Sequence, residues 1–238
     1  MKKFAFTLAE VLITLGIIGV VASMTLPAII QKNNEKTTVS KLKKVYSVLQ
    51  QAQLNIINEY GTFDNLVTSN TQTGIDENGE NILDYTNTEL LRNLFAKELK
   101  VIKSCEAGQN CLGKTVYLLS GNVHGEYKDP TLILADGTKL FFGWTYACSQ
   151  TSVCAEVGVA FPGANKNRYT LGKDIFYFHI YSKKIIPAGK TSGKLADDSC
   201  NIKADGHNCA AWVLFNENMD YIHCDDLEWG RKTKCNQK

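Results

Sequence analysis

The sequence predicts an α+β protein, in which a long N-terminal membrane-spanning helix continues into an amphipathic helix packed on a mostly antiparallel β-sheet. Three observations predict it. Val11 to Ile30 is a run of 20 residues without a charge, and at about 1.5 Å per residue a helix of that length spans roughly 30 Å, the hydrocarbon thickness of a bilayer. Apolar residues then recur at three- and four-residue steps between Val39 and Tyr60. From residue 115 onward the pattern changes to short apolar runs separated by turn residues. The 238 residues suffice for a sizeable core, and 44% apolar against 21% charged residues excludes a disordered tail or a fibrous repeat. A net charge of +2 excludes a strongly basic chain, so no nucleic-acid partner is expected from composition.

The apolar run is the first element. Lys2 and Lys3 precede it and favour a cytoplasmic N-terminus by the positive-inside bias, so that everything after residue 30 is exported. An ordinary signal peptide has the wrong shape. The charged region is only three residues long, the apolar run exceeds the usual core of about 7–15 residues, and no small-x-small cleavage site clearly ends it. Glu10 is the odd residue. A carboxylate costs about 2.5–3.5 kcal/mol at the bilayer centre and less near the interface. A plain anchor has no need of it, so Glu10 reads as a functional residue whose partner is to be named, with snorkelling to the interface as the bland alternative.

A polar joint, Gln31 to Thr38, follows. Val39, Leu42, Val45, Tyr46, Leu49, Ala52, Ile56, Ile57 and Tyr60 then form one stripe of an amphipathic helix, with Lys41, Lys43, Lys44, Gln51 and Asn55 opposite and Gly61 as the stop. The two helices are expected to form one rod bent near Pro27. Thr62 to Asn87 reads as a long polar loop with turn signals at Thr73-Gly74 and Asn78-Gly79. Thr88 through Leu99 reads as a short helix capped by Thr88. Thr115 to Ser120 is the first strand. Leu132 to Leu134 and Lys139 to Phe142 flank Asp136-Gly137 as a hairpin. Val157 to Phe161 is a further strand, and Asp174 to Tyr181, apolar on both faces, reads as a central one. Ala210 to Phe215 and Asp220 to His223 flank Asn216-Glu217-Asn218 as a second hairpin.

Eight cysteines, Cys105, Cys111, Cys148, Cys154, Cys200, Cys209, Cys224 and Cys235, all lie after the apolar run. An even count confined to the exported side points to disulfides. Structural zinc would need close Cys-x-x-Cys pairs, and the gaps are instead two of five residues, one of eight and one of ten. Roughly a hundred pairings are available to eight cysteines. Proximity selects Cys105–Cys111, Cys148–Cys154, Cys200–Cys209 and Cys224–Cys235, each small loop contributing about 2–3 kcal/mol.

Behind Lys2-Lys3, the stretch Ala5-Phe6-Thr7-Leu8-Ala9-Glu10 and the apolar run after it resemble the prepilin processing site of type IV pilins and type II secretion pseudopilins. Pro27 also falls where many members of that family place a helix-kinking proline. The resemblance is strong for residues 1 to 60 and moderate beyond, where Leu134-Ala135-Asp136-Gly137, Gly172-Lys173-Asp174-Ile175-Phe176 and Cys209-Ala210-Ala211-Trp212-Val213 are similar to segments of pilin-like globular domains. It implies a pilin-like fold and a leader, residues 1–5, cut by a prepilin peptidase between Ala5 and Phe6, with Ala5 standing where Gly is common. It also implies methylation of the new Phe6 amine, a transmembrane and polymerisation helix over 6–30, a continuation helix over 31–61 and a disulfide-braced exported domain over 62–238. Glu10 would be the assembly residue, its carboxylate neutralising the amine of a neighbouring subunit. The partners implied are the peptidase, other pilin or pseudopilin subunits and inner-membrane lipid, with a final place in a periplasmic pseudopilus or an extracellular pilus.

No residue constellation carries enzyme chemistry. The chain lacks a Gly-rich phosphate loop and a Gly-x-Ser-x-Gly elbow. His207, Cys209, His223 and Cys224 are the only dense His/Cys group, read as two oxidised cysteines and two surface imidazoles ahead of zinc. His179 shares a strand face with Tyr177 and Tyr181 and reads as core. No catalytic residue, no metal ligand and no cofactor is assigned. Asp197-Asp198 and Asp225-Asp226 have the oxygen chemistry for Ca²⁺, which some pseudopilins use near their C-terminal loops, but lack EF-hand spacing, and solvated loops are expected. The expected function is a pilin-like structural subunit and not an enzyme. The alternative is a singly anchored exported enzyme or binding module.

Overall fold

Helix α1 runs from Leu8 to Tyr60. The computed structural model describes residues 7–75, 77, 81–163, 167–189 and 200–236. The chain divides after Thr38 into two units. In the first, no described side chain is buried; Leu12, Ile13, Leu15, Ile17, Ile18, Leu26 and Ile30 are all exposed. A helix apolar on every face and open on every face has no protein core to join. It is the one helix among the described residues long and apolar enough to cross a membrane. Pro27 lies inside it, and the helix continues past the proline even though its ring nitrogen has no proton to donate to the preceding turn.

The second unit begins at Val39 and holds the core. Val39, Leu42, Val45, Leu49, Ala52 and Ile56 of α1 are buried, at steps of three and four residues that set them on one stripe. After α1 come α2 (Phe63–Leu66), β1 (Gln72–Ile75), β2 (Asn81–Leu83), α3 (Thr86–Glu98), β3 (Val101–Cys105), β4 (Thr115–Tyr117), β5 (Val123–Gly125), β6 (Thr131–Leu134) and β7 (Lys139–Thr145). β8 (Val153–Ala160), β9 (Arg168–Thr170), β10 (Ile175–Tyr181), β11 (Ile185–Pro187) and α4 (Cys209–Asn216) complete the order, before a 3-10 turn at Asp220–Ile222. Six strands form an antiparallel sheet in the order β11-β10-β8-β7-β6-β3. β5, β4 and β9 form a small mixed sheet whose β4–β9 pair is parallel.

The period-two alternation of the large sheet divides its side chains between two layers. Phe142, Val157, Phe176, Phe178 and Ile180 join the α1 stripe and α3 in one core. Tyr46 of α1 stacks on Phe178 with centroids 5.5 Å apart, and Phe95 of α3 meets Phe142 at 5.4 Å. On the opposite face Phe141, Tyr177, Ala160 and Ile175 join Val116 and Tyr169 of the small sheet in a second core. Both faces of β10 are therefore covered, which is why its sequence is apolar throughout. Gly158 on β8 pairs with Phe141 on β7, and the Phe141 ring lies where a Cβ would stand, 2.0 Å from its ideal position.

The hairpin around Asp136-Gly137 is present, with Gly137 at φ 81 and Leu134 N–H bonded to the Thr138 carbonyl at 2.9 Å. The expected hairpin over 210–223 is not. Cys209–Asn216 is a helix and Asp220–Ile222 a 3-10 turn. Ala210, Ala211, Trp212 and Val213 are buried in succession, as a helix enclosed on its sides allows and a half-buried strand does not. Glu217 ends the helix at φ 55, its N–H bonded to the Val213 carbonyl, so Asn216-Glu217-Asn218 is a helix stop and not a hairpin turn. The expected loop over 62–87 contains α2 and the β1–β2 hairpin, with Thr73-Gly74 inside β1; Asn78-Gly79 lies outside the described residues. Thr88 does not cap α3. It is buried one turn in, accepts a hydrogen bond from the Asn70 amide at 2.7 Å and donates to the Gly143 carbonyl at 3.3 Å. The start of α3 is served instead by Asp84, whose carboxylate accepts the Thr86 N–H at 2.9 Å. β3, which the sequence reading lacked, is an edge strand with Ile102, Lys103 and Ser104 exposed.

Candidate functional site

Two places among the described residues gather chemistry. The first is the head of α1. Ala5 and Phe6, the expected cleavage and methylation positions, lie outside the described residues, as do Lys2 and Lys3. Directly after them, Thr7 and Glu10 hold each other reciprocally. The Glu10 carboxylate accepts the Thr7 backbone N–H at 2.8 Å and the Thr7 hydroxyl at 2.7 Å, while the Glu10 N–H donates to the Thr7 hydroxyl oxygen at 3.2 Å. Residues spaced i, i+3 in this way form a capping box, which satisfies donors that a helix start leaves open. Glu10 therefore has a partner within its own chain at the mouth of the apolar run.

The second place is on the outer face of the six-stranded sheet, and sequence reading missed it. Register sets Glu156 of β8 opposite His179 of β10. His179 Nε2 lies 3.1 Å from Glu156 Oε1, and His207 Nε2, from the segment before α4, lies 3.8 Å from Oε2. The His207 ring stacks on Tyr177 with centroids 3.9 Å apart and planes 7° from parallel. Tyr177 donates its hydroxyl proton to the Tyr127 oxygen at 2.6 Å. Tyr127 in turn stacks on Phe141 and meets His124.

The electrostatics follow from burial. Burial pushes the Glu156 carboxyl up, but the hydrogen bond of His179 at 3.1 Å and the nearby imidazole of His207 outweigh it and hold the group down at about 2. Burial pushes Asp129 up to about 6 and Tyr127 up to about 12, and raises Tyr177 well above an ordinary phenol. Such a convergence of shifted groups marks functional-site candidates. His179 is thus not merely a core residue, as the strand pattern had suggested. The available signal was a single polar side chain in each of two apolar strands, Glu156 in Val153–Ala160 and His179 in Ile175–Tyr181; their pairing required the register.

The remaining expected residues fall as follows. All four expected cysteine pairs form disulfides, with Cα–Cα distances of 6.3 Å for Cys105–Cys111, 4.8 Å for Cys148–Cys154, 4.9 Å for Cys200–Cys209 and 5.8 Å for Cys224–Cys235. The cysteines of the dense His/Cys group are taken up in the last two bridges, and His207 turns to Glu156. Asp225 pairs with Lys203 and Asp226 with Lys232, which occupies their carboxylates with cations of the chain itself; Asp197 and Asp198 lie outside the described residues. Among the described residues no group of three or more His, Cys, Asp or Glu side chains is arranged to hold a metal ion, and no cofactor is identified.

No curated protein and no solved structure matches the chain. One family does match, over residues 28–196, a stretch that starts just past Pro27 in α1 and takes in both sheets through β11. The match covers well over half of the sequence, and the chain belongs to that family, a family of unknown function (DUF6613).

Proposed function

We propose that the chain is a pilin-like structural subunit of a type IV pilus or a type II secretion pseudopilus, and not an enzyme. Prepilin peptidase cuts between Ala5 and Phe6 and methylates the Phe6 amine. The subunit then waits in the bacterial inner membrane as a single-pass protein with its C-terminal domain exported, and assembles with other subunits through its N-terminal helix. The observation that carries the reading is the carboxylate of Glu10 at the head of a helix that is apolar and exposed on every face. Only a lipid or a bundle of like helices suits such a surface. Thr7 masks part of the Glu10 charge within one subunit, and the freed Phe6 amine of a neighbour supplies the cation that would neutralise it in a bundle, where low dielectric strengthens the pair. Four disulfides in the exported half agree with an oxidising compartment.

The test is the mass of the mature N-terminal peptide from cells with an intact prepilin peptidase. A peptide starting at methylated Phe6 is the expected result, and an intact Met1 would overturn the reading. The Glu156 cluster favours a second reading, a singly anchored exported binding module, because it is the convergent polar site that such a protein needs. Glu10→Ala separates the two: assembly weakens or fails in a filament subunit, whereas an anchored module is indifferent to it.

A further inference from the structure

We propose that the free edge of β3 is a docking strand for an acidic, extended segment of another protein, which joins the six-stranded sheet there as a further strand. The two edges of that sheet are finished differently. At the β11 edge Pro187 brings no N–H, and the Ala188 carbonyl accepts the Ala211 N–H of α4 at 2.9 Å, so the chain itself closes that side. β3 ends the order on the other side. Ile102, Lys103 and Ser104 are exposed in succession, Ile102 at 67%. Among the described residues their backbone groups make no hydrogen bond outside the β3–β6 ladder. A strand paired on one side only presents alternate N–H and C=O groups to whatever lies beside it. An added strand takes its main-chain hydrogen bonds from such groups.

Charge selects the partner. Register sets Lys103 of β3, Ile133 of β6 and Lys139 of β7 in one row across the sheet. The two lysines therefore share a face, two strand spacings or about 10 Å apart at the backbone. Lys114 adds a third cation: its Nζ lies 4.4 Å from the Tyr169 ring centroid, and Lys139 Nζ lies 5.9 Å from the same ring. Burial, and after it the charges of Lys114 and Lys103, holds Lys139 below an ordinary lysine. Among the described residues Lys100, Lys103 and Lys139 form no ion pair. The Lys139 ammonium rests instead on the Cys111 and Leu112 carbonyls at 3.0 and 2.7 Å. Glu106 follows the strand, past the exposed run. A carboxylate brought to this row relieves like-charge repulsion, and an ammonium adds to it. A second copy of β3 is disfavoured, because antiparallel pairing centred on Lys103 sets one Lys103 against the other, and like charges directly opposite destabilise a strand pair. Tyr169, the ring beside these lysines, is buried and cannot stack a base, which favours a polypeptide over a single-stranded nucleic acid. The docking edge is independent of how the N-terminal helix is used.

The probe is a short, fluorescently labelled peptide alternating glutamate and valine, added to the oxidised full chain in uncharged detergent micelles and read by anisotropy. One control peptide has proline for every valine, which keeps the charge and removes the strand. The other has lysine for every glutamate, which keeps the strand and reverses the charge. The acidic strand peptide is expected to bind about tenfold more tightly than either control. Lys103→Glu is expected to weaken it by about fivefold, since an attraction becomes a repulsion at the rim of the contact. Bound peptide is also expected to slow amide hydrogen exchange in 101–105 and to leave 185–187 unchanged. Equal binding of the proline peptide would reduce the edge to a charged patch and overturn the docking strand. Equal binding of the lysine peptide, no binding of the acidic one, unchanged exchange in 101–105, or undiminished binding by Lys103→Glu would overturn it as well. Where Lys103→Glu fails to fold, the peptide series and the exchange of the natural chain decide between these outcomes.

Discussion

Replacing Asp129 by Asn should stabilise the protein, and only above the interval in which the carboxyl titrates. Asp129 is partly buried beside the Tyr127–Tyr177 pair, and burial lifts its carboxyl from an ordinary value of 3.8 to about 6. The folded state then binds this proton more tightly than the unfolded chain does. A carboxyl raised in this way contributes full stability below pH 4, and that contribution is lost as pH rises through about 6. A separation of about two units is worth about 3 kcal/mol at its upper limit. Asn keeps the size and the acceptor oxygen that takes a backbone N–H, and it carries no charge to desolvate. Urea unfolding, followed by the fluorescence of Trp144, Trp212 and Trp229 in micelles, should show Asp129→Asn more stable by about 1–3 kcal/mol at pH 8 and equal to the natural chain at pH 3.5. A difference of the same size at both pH values would refute the reasoning, because a packing effect does not titrate.

Leu49→Ala should cost about 2–5 kcal/mol, since Leu49 is fully buried in the α1 stripe and the rigid sheet beneath it cannot close the cavity; thermal unfolding reads this. Gly158→Ala should cost about 1–3 kcal/mol by driving the Phe141 ring from its place, and Phe141→Leu in the same background should recover part of the loss. Replacing Cys148 and Cys154 together by Ser should cost about 2 kcal/mol, the closure entropy of a short loop, with no further loss on adding reductant for that bridge. Glu10→Ala should leave the melting of the second unit unchanged, because Glu10 belongs to the first, while, on the filament-subunit proposal, abolishing or weakening recovery of the chain in sheared filaments.

What could be read from the sequence was whatever is periodic or local. The α1 stripe from Val39 to Ile56 repeats at helical steps, and a repeat of that length has one interpretation. The Asp136-Gly137 turn needs a residue free to take positive φ, and glycine marks it. Cysteine pairing was legible because each partner is the next cysteine along the chain. Ala210 to Phe215 is a helix and not the expected strand because six apolar residues in a row carry no period; whether they become a helix or a strand depends on what encloses them. The polar chain from Asn70 through Thr88 to Gly143 was hidden for a similar reason. It joins the loop after α2, helix α3 and strand β7, which are apart in sequence, and no local rule pairs them.

The sequence by itself determined that this protein has a long apolar helix with a carboxylate at its mouth and a disulfide-braced α+β part after it, because length, charge and spacing act along the chain. Only the tertiary structure decided that Glu156, His179, His207 and Tyr177 meet. That meeting depends on strand register, where a slip of one residue turns every side chain to the other face, and on the return of a segment more than 25 residues downstream of His179 to the same surface. Side chains brought together through space, under burial that shifts their proton affinities, carry no signature in the order in which they are written.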